Sequence, residues 1–191
     1  MAADVKLKPR GEYVDVATAE TLPHLGKMAI HSTLAYLQLP TTRYFLLGGA
    51  NLVLRGIRQR TPDIDMLVSE EVFQSLAKRP GVEIHEPPQP AIQRGAQNTT
   101  VWLRTDETPM PVSATTSLGD GYYPMSFDTH HNRVDMVEGV PCIELDEIVA
   151  AKEALQRPKD ISDLWAIALH RGQFDIYVPP APTLPSPWPL S

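Results

Sequence analysis

The sequence predicts an α+β fold: a short mixed β-sheet with helices packed on it, followed by a C-terminal pair of helices. Strand-like runs bounded by turn residues alternate with segments of helical spacing over the first two thirds of the chain. Two consecutive helical segments then close it. The length of 191 residues, 42 % hydrophobic and 21 % charged, suits one ordinary domain with a small appendage.

The first dozen residues are polar and are expected to be loose. From His24 to Gln38 the apolar positions Ile30, Leu34 and Leu37 recur at helical spacing, and Pro40 stops the helix. Arg43 to Leu47 reads as a strand ending at the tight turn Gly48-Gly49, and Ala50 to Ile57 as a helix opening from that turn. Thr61-Pro62 breaks the chain before a strand over Asp63–Val68. Ser69 is the expected N-cap of a helix over Glu70–Lys78, with acids in its first turn. Val82–His85 reads as a short strand. Thr100–Arg104 and Met110–Ala114 read as a strand pair around a turn at 106–108.

The segment from Pro87 to Gln97 reads as loop. Thr116–Asn132, with Gly119, Gly121 and Pro124, reads as a long substrate-facing loop or insert. Arg133–Val137 is another strand. Helices follow over Leu145–Gln156 and Pro158–His170, with Pro158 in the first turn and Gly172 beyond the end. Six prolines between Pro179 and Pro189 predict an extended, unpacked tail. The domain reading is a core over 1–140, a helical unit over 141–178 and the tail over 179–191.

The formal net charge is −6 and the basic residues are scattered, which argues against extended nucleic-acid binding. No stretch approaches the ~20 apolar residues of a membrane span. The first ten residues lack the apolar core of a secretory signal, and the single cysteine, Cys142 in an apolar setting, reads as a buried hydrophobe. Cytoplasmic residence is the expectation.

Chemistry concentrates in three places. A glycine pair between strand and helix lets the backbone turn sharply and lets a ligand reach the main chain, and the helix N-terminus beyond it favours phosphate. In Asp63-Ile64-Asp65 the acids are two apart on a strand, so both project from one face. Two carboxylates so placed repel each other unless solvent or a divalent cation relieves them, and Mg²⁺ prefers carboxylate oxygens plus substrate phosphates. In Arg133-Val134-Asp135-Met136-Val137, Asp135 faces opposite to Val134 and Met136. If that strand neighbours the first, three carboxylates can hold two metals about 3.5–4 Å apart, an arrangement suited to in-line displacement at phosphorus.

The run Leu47-Gly48-Gly49, thirteen residues, then Asp63-Ile64-Asp65-Met66, resembles the signature of the DNA polymerase β-like nucleotidyltransferase superfamily. Val134-Asp135-Met136 fits the later acidic residue of that pattern. Leu54-Arg55-Gly56 with Arg60-Thr61-Pro62-Asp63-Ile64-Asp65 is especially similar to the small minimal nucleotidyltransferases, among them abortive-infection toxin components. Lys152, then Arg157-Pro158-Lys159-Asp160-Ile161-Ser162-Asp163-Leu164, resembles the Lys, then Arg-x-Lys-Asp-x-x-Asp-Leu of the same minimal family.

The resemblance implies transfer of a nucleoside monophosphate from a nucleoside triphosphate to a hydroxyl on an RNA end, a protein or a small molecule. It implies Mg²⁺ or Mn²⁺ held by Asp63, Asp65 and Asp135, with Asp135 taking the acceptor's proton. Gly48, Gly49, Thr61 and Lys159 would meet the nucleotide, and Lys152 the leaving pyrophosphate. Asp160 or Asp163 would orient a lysine or the target. The plainer reading has Lys152 snorkelling and both acids complementing a helix start. A second functional reading keeps the fold without transferase activity, as a binding or regulatory module or a scaffold for other small-molecule chemistry. Asp128-x-His130-His131 reads as loop polarity, and Trp102, Trp165 and Trp188 form no stacking array, with Trp165 expected in the core.

Overall fold

A computed structural model of the chain describes residues 24–85, 99–118 and 123–173. The expected loop over 87–97, the proline-rich tail and the first dozen residues lie outside them. Six helices are described: α1 Lys27–Leu37, α2 Gly48–Leu54, α3 Glu70–Ala77, α4 Phe127–His130, α5 Leu145–Leu155 and α6 Pro158–His170. The strands are β1 Tyr44–Leu46, β2 Ile64–Val68, β3 Val82–His85, β4 Thr100–Leu103, β5 Val112–Thr115, β6 Ser117–Leu118, β7 Met125–Ser126, β8 Val134–Val137 and β9 Val140–Ile143.

Seven strands form one mixed sheet in the order β3-β4-β5-β2-β1-β9-β8, and the fold is α+β as predicted. β2 runs parallel to β5 and β1 parallel to β9, while the other pairings are antiparallel. Residues facing each other across a ladder share a face of the sheet, so the registers sort every strand side chain. On the first face Tyr44, Leu46, Ile64, Met66, Val68, Val112, Ala114, Val140 and Cys142 pack under α1 and α3. On the second face Phe45, Leu47, Leu67 and Ile143 pack with Ile148 of α5 and Ile167 of α6. Both sides of β1 and β2 are thus covered, which is why their runs are apolar almost throughout.

Local signals place most ends. Ser69 Oγ accepts from the Val72 N–H at 3.4 Å, the predicted cap of α3. At α6, Pro158 occupies the first turn and Asp160 accepts from the Arg157 N–H at 3.2 Å. α2 starts at Gly48 rather than Ala50, so both glycines lie in its first turn.

Three expectations change. The described part of 116–132 is structured: β6 and β7 pair, and α4 follows. Buried Glu147 of α5 anchors this insert through the Tyr123 hydroxyl and the Arg133 guanidinium. Trp165 is not core: it is 45 % exposed on the outer side of α6. A strand was also missed at Val140–Ile143. Pro141 breaks its hydrogen-bonding pattern, yet β9 pairs with β8 along its length and with β1 through Leu46 opposite Cys142. β9 lies inside the sheet, so a division of the chain at residue 140 falls on the first residue of a strand. Among the described residues no helix is long and apolar enough to cross a membrane.

Candidate functional site

The Gly48 turn, Thr61, Asp63, and Asp65 of β2 meet on the second face of the sheet. Asp63 immediately precedes β2 and Asp65 is its second residue, flanked by the Leu47 N–H donating to its carbonyl at 2.9 Å. Gly48 holds φ at +45°, and a Cβ there would lie 3.5 Å from Asp65 Oδ2. A Cβ on Gly49 would lie 2.4 Å from Thr61 Oγ1, so only glycine lets the turn sit against Thr61. Thr61 is buried and doubly tied to Leu25, each residue's N–H donating to the other's carbonyl at 2.9 and 3.0 Å. Its hydroxyl donates to the Asp63 carbonyl at 3.3 Å.

The two carboxyls sit in a strained electrostatic balance. Burial first, then the charge of Asp63, pushes Asp65 up to about 7, while Lys159, Arg157 and Lys152 pull the other way. Burial likewise raises Asp63 against the opposing pull of Lys159 and Arg58. Two half-buried acids whose charges oppose each other call for added positive charge.

α5 and α6 supply the surrounding cations. Lys152 is 6 % exposed, and its Nζ donates to Asp160 Oδ1 at 3.0 Å and to Asp163 Oδ2 at 2.6 Å. Asp163 also pairs with Arg58 at 3.3 Å, and Asp160 with Arg157 at 2.6 Å. The result is an alternating chain: Arg58, Asp163, Lys152, Asp160, Arg157. Both acids contact the lysine. Lys152 does not snorkel, because its charged end is the buried end. Lys159 is exposed one residue before Asp160, and its charge is the largest one opposing the rise at both Asp63 and Asp65.

Asp135 does not join this cluster. The ladder carries Asp135 to Cys142, Cys142 to Leu46 and Leu46 to Met66, all on the first face, whereas Asp65 is on the second. Two strands, β9 and β1, separate β8 from β2, a lateral distance of about 14 Å at ~4.8 Å per strand. Asp135 instead accepts from Arg55 Nη2 at 2.6 Å. Arg55 donates in turn to Asn51 Oδ1 at 2.7 Å and to the Ile143 carbonyl at 3.1 Å. The physical reason is the unpredicted β9: inserted beside β1, it displaces β8 to the sheet edge.

Among the described residues no group of three or more His, Cys, Asp or Glu is placed to hold a metal. The described residues therefore do not assemble a three-carboxylate, two-metal centre. Asp63 and Asp65 do fit a single Mg²⁺, which is ordinarily held by one or two carboxylates plus substrate phosphates. His130 Nδ1 pairs with Thr129 Oγ1 at 2.7 Å and His131 Nδ1 with the Asp128 carbonyl at 2.9 Å, contacts local to α4. Cys142 is buried as predicted, its thiol pushed up to about 12 chiefly by that burial.

Of the sequence-predicted site residues, Gly48, Gly49, Thr61, Asp63, Asp65, Lys152, Lys159, Asp160 and Asp163 come together. Arg58 and Arg157 belong with them and were not assigned roles. Arg157 opens the motif that carried Lys159 and Asp160, a signal in plain view, whereas nothing in the sequence around Arg58 marks it.

Fold and site together define an α+β protein with a paired-carboxylate centre ringed by cations. No family model matches the chain, and no curated protein matches it. Two solved structures are similar: JHP933 from Helicobacter pylori, 15 % identical over 78 % of this chain and 69 % of that one, with a TM-score of 0.46; and a candidate nucleotidyltransferase from H. pylori, 16 % identical over 85 % and 72 %, with a TM-score of 0.45.

Proposed function

We propose that the chain is a metal-dependent nucleotidyltransferase that moves a nucleoside monophosphate from a nucleoside triphosphate to a hydroxyl acceptor. The observation that carries this reading is the carboxyl pair Asp63 and Asp65 at the Gly48 turn, burdened by unrelieved negative charge and faced by Lys159. A Mg²⁺ or Mn²⁺ ion bound by the pair would neutralise the triphosphate and lower the barrier to displacement at the α-phosphorus.

The chain's own residues divide the remaining work. Gly48 and Gly49 open the main chain to the β and γ phosphates, and Thr61 backs that turn. Lys159, exposed and aimed by its position beside Asp160, meets the triphosphate. Lys152, held by two carboxylates, positions α6 and adds long-range positive potential at Asp65. The acceptor oxygen bonds to the α-phosphorus as the bond to the β-phosphate oxygen breaks, pyrophosphate leaves, and the hydroxyl proton passes to water.

A second reading is favoured by the placement of Asp135. With two carboxylates in place of three, the chain binds nucleotide as a regulatory or binding module without transfer. Isothermal titration with Mg²⁺ and each nucleoside triphosphate, on the parent and on Asp63→Ala/Asp65→Ala, tests what the two readings share. Metal-dependent binding in the parent alone supports both, and no binding to any triphosphate rejects both. Incubating labelled triphosphate with total RNA, protein and metabolite fractions then separates them, since only a transferase labels an acceptor.

A further inference from the structure

Among the described residues the second face of the sheet is filled by an apolar cluster on the β1 side of Asp65 and by none on the β5 side, where Ser113 and Trp102 are half-buried. Toward β1 and β9 it is filled by Phe45, Leu47 and Ile143 under α5 and α6. Toward β5, β4 and β3 the registers place Ser113 opposite Asp65, Trp102 opposite Ser113, and Glu83 opposite Trp102. These three share the face of Asp65, because facing residues in a ladder point the same way. None belongs to the apolar cluster on that side, and none is fully buried, whereas Val101, Leu103, Val112 and Ala114 between them are buried on the other face. The row is a shelf: carboxylate, hydroxyl, indole, carboxylate, at intervals of ~4.8 Å.

We propose that Trp102 is the stacking platform for the nucleobase of the nucleotide held at Asp63 and Asp65. This rests on the nucleotide-binding reading of that pair and adds to it the direction in which the nucleotide lies. Lys159, Arg157, Lys152 and the Gly48 turn gather the positive charge and free main chain at one end, so the phosphates point there. The nucleoside must then leave across β5, since the β1 side is filled. Trp102 stands about 10 Å from Asp65, two strand spacings away, which matches the reach from a nucleotide's α-phosphorus to its base. Ser113 lies between them with its hydroxyl uncommitted among the described residues, suited to a ribose hydroxyl. Glu83, exposed just beyond the indole, pairs through Oε2 with His85 Nε2 at 3.1 Å; its other carboxylate oxygen accepts from a base N–H, and its charge repels a phosphate, which fixes the polarity of the ligand. An indole face stacks any base at a cost to affinity, when removed, of about tenfold or more.

The test compares Mg²⁺-dependent binding of each nucleoside triphosphate and of inorganic tripolyphosphate to the parent, Trp102→Phe and Trp102→Leu, each first checked by thermal unfolding. Parent and Trp102→Phe should bind nucleoside triphosphates within a few-fold of each other. Trp102→Leu should lose about tenfold or more for nucleoside triphosphates and nothing for tripolyphosphate. Unchanged nucleotide binding by Trp102→Leu overturns the platform and leaves the phosphate end standing. So does a parent that binds tripolyphosphate as tightly as nucleotides. A parent that binds neither overturns the platform together with the reading beneath it. Should Trp102→Leu fail to fold, Trp165→Phe/Trp188→Phe leaves Trp102 as the sole indole. Its emission should be quenched by nucleoside triphosphates and not by tripolyphosphate, and quenching by neither overturns the platform.

Discussion

Asp135 and Asp65 lie on opposite faces of one sheet, with two strands between them. Asp135 anchors Arg55, which also donates to Asn51 one helical turn earlier in α2. Asn51 is fully buried and donates to the Leu46 carbonyl at 3.2 Å and the Ile143 carbonyl at 2.9 Å, tying the ends of β1 and β9 where their own pairing is short.

Replacement of Asp135 tests this separation. Its side chain is 49 % exposed, so the ion pair with Arg55 is worth about 0–1 kcal/mol. Asp135→Asn should change thermal stability little and leave Mg²⁺-dependent nucleotide binding at the parent level by titration. A loss of nucleotide binding as large as that of Asp63→Ala/Asp65→Ala would restore Asp135 to the site. Asn51→Leu, in contrast, removes the side-chain donor to the Leu46 carbonyl and the acceptor of the Arg55 Nε–H, leaves the Ile143 carbonyl to Arg55 alone, and should cost on the order of 2 kcal/mol in denaturant unfolding.

Asp65 should behave in the opposite sense. Its carboxyl is held near 7 by burial and by Asp63, so the metal-free fold is strained by keeping it charged. Asp65→Asn removes a charge without removing volume, and should raise metal-free stability by about 1 kcal/mol, a gain typical where a functional site was costing stability. Mg²⁺ with a nucleoside triphosphate should raise the melting temperature of the parent and not of the variant. A variant less stable than the metal-free parent would mean that Asp65 is satisfied without a cation.

The elements of this site were legible in the sequence wherever the signal was local. A glycine pair, an acid at i and i+2, and Lys152 on an apolar stripe followed by Asp160 and Asp163 each report on one turn of chain. Strand order is not local. Asp135 had the right alternation with Val134 and Met136, but its neighbours depended on whether 140–143 formed a strand, and Pro141 concealed that one. The same limit hid Trp102. As one tryptophan among three it carries no pattern, and only the registers of β2, β5 and β4 set it in line with Asp65. Trp165, expected in the core, lies beside the buried residues Leu164, Ile167 and Ala168 of α6 but is itself turned to solvent.

Lys152 predicts a pH dependence. Burial works against the charge of Asp160, yet Arg157 and Lys152 outweigh it and hold the carboxyl below its usual value of 3.8. A carboxyl lowered by folding contributes stability above its unfolded value, lost as pH falls through the folded one. In the parent that loss falls below pH 3.8. Lys152→Met leaves two buried carboxylates each with a single arginine, and should cost on the order of 3 kcal/mol at pH 7. Burial then opposes the charge of Asp160 with only Arg157 against it, so the folded variant binds a proton there more readily than the parent. The gap between parent and variant should narrow as pH falls from 7 toward 4. Denaturant unfolding at several pH values measures it, and a gap that widens on acidification would contradict the network.

The contact between Gly49 and Thr61 gives a sharper test, because two effects of known sign compete in one substitution. Alanine is favoured over glycine within a helix by roughly 0.5–1 kcal/mol, so on propensity alone Gly49→Ala should stabilise α2. Its Cβ, however, would meet Thr61 Oγ1 at 2.4 Å and Thr61 Cβ at 3.2 Å. Thr61 cannot retreat, since its side chain is buried and its main chain is bonded on both sides to Leu25. Overpacking of this kind costs about 1–3 kcal/mol and should outweigh the propensity gain, leaving Gly49→Ala destabilised. Thr61→Ala removes the oxygen at 2.4 Å, so in that background the penalty should shrink by more than half, with a coupling energy above 0.5 kcal/mol by double-mutant cycle. Additive effects of the two substitutions would show that the turn relaxes away from Thr61, and that Gly49 is there for access to the main chain rather than for packing.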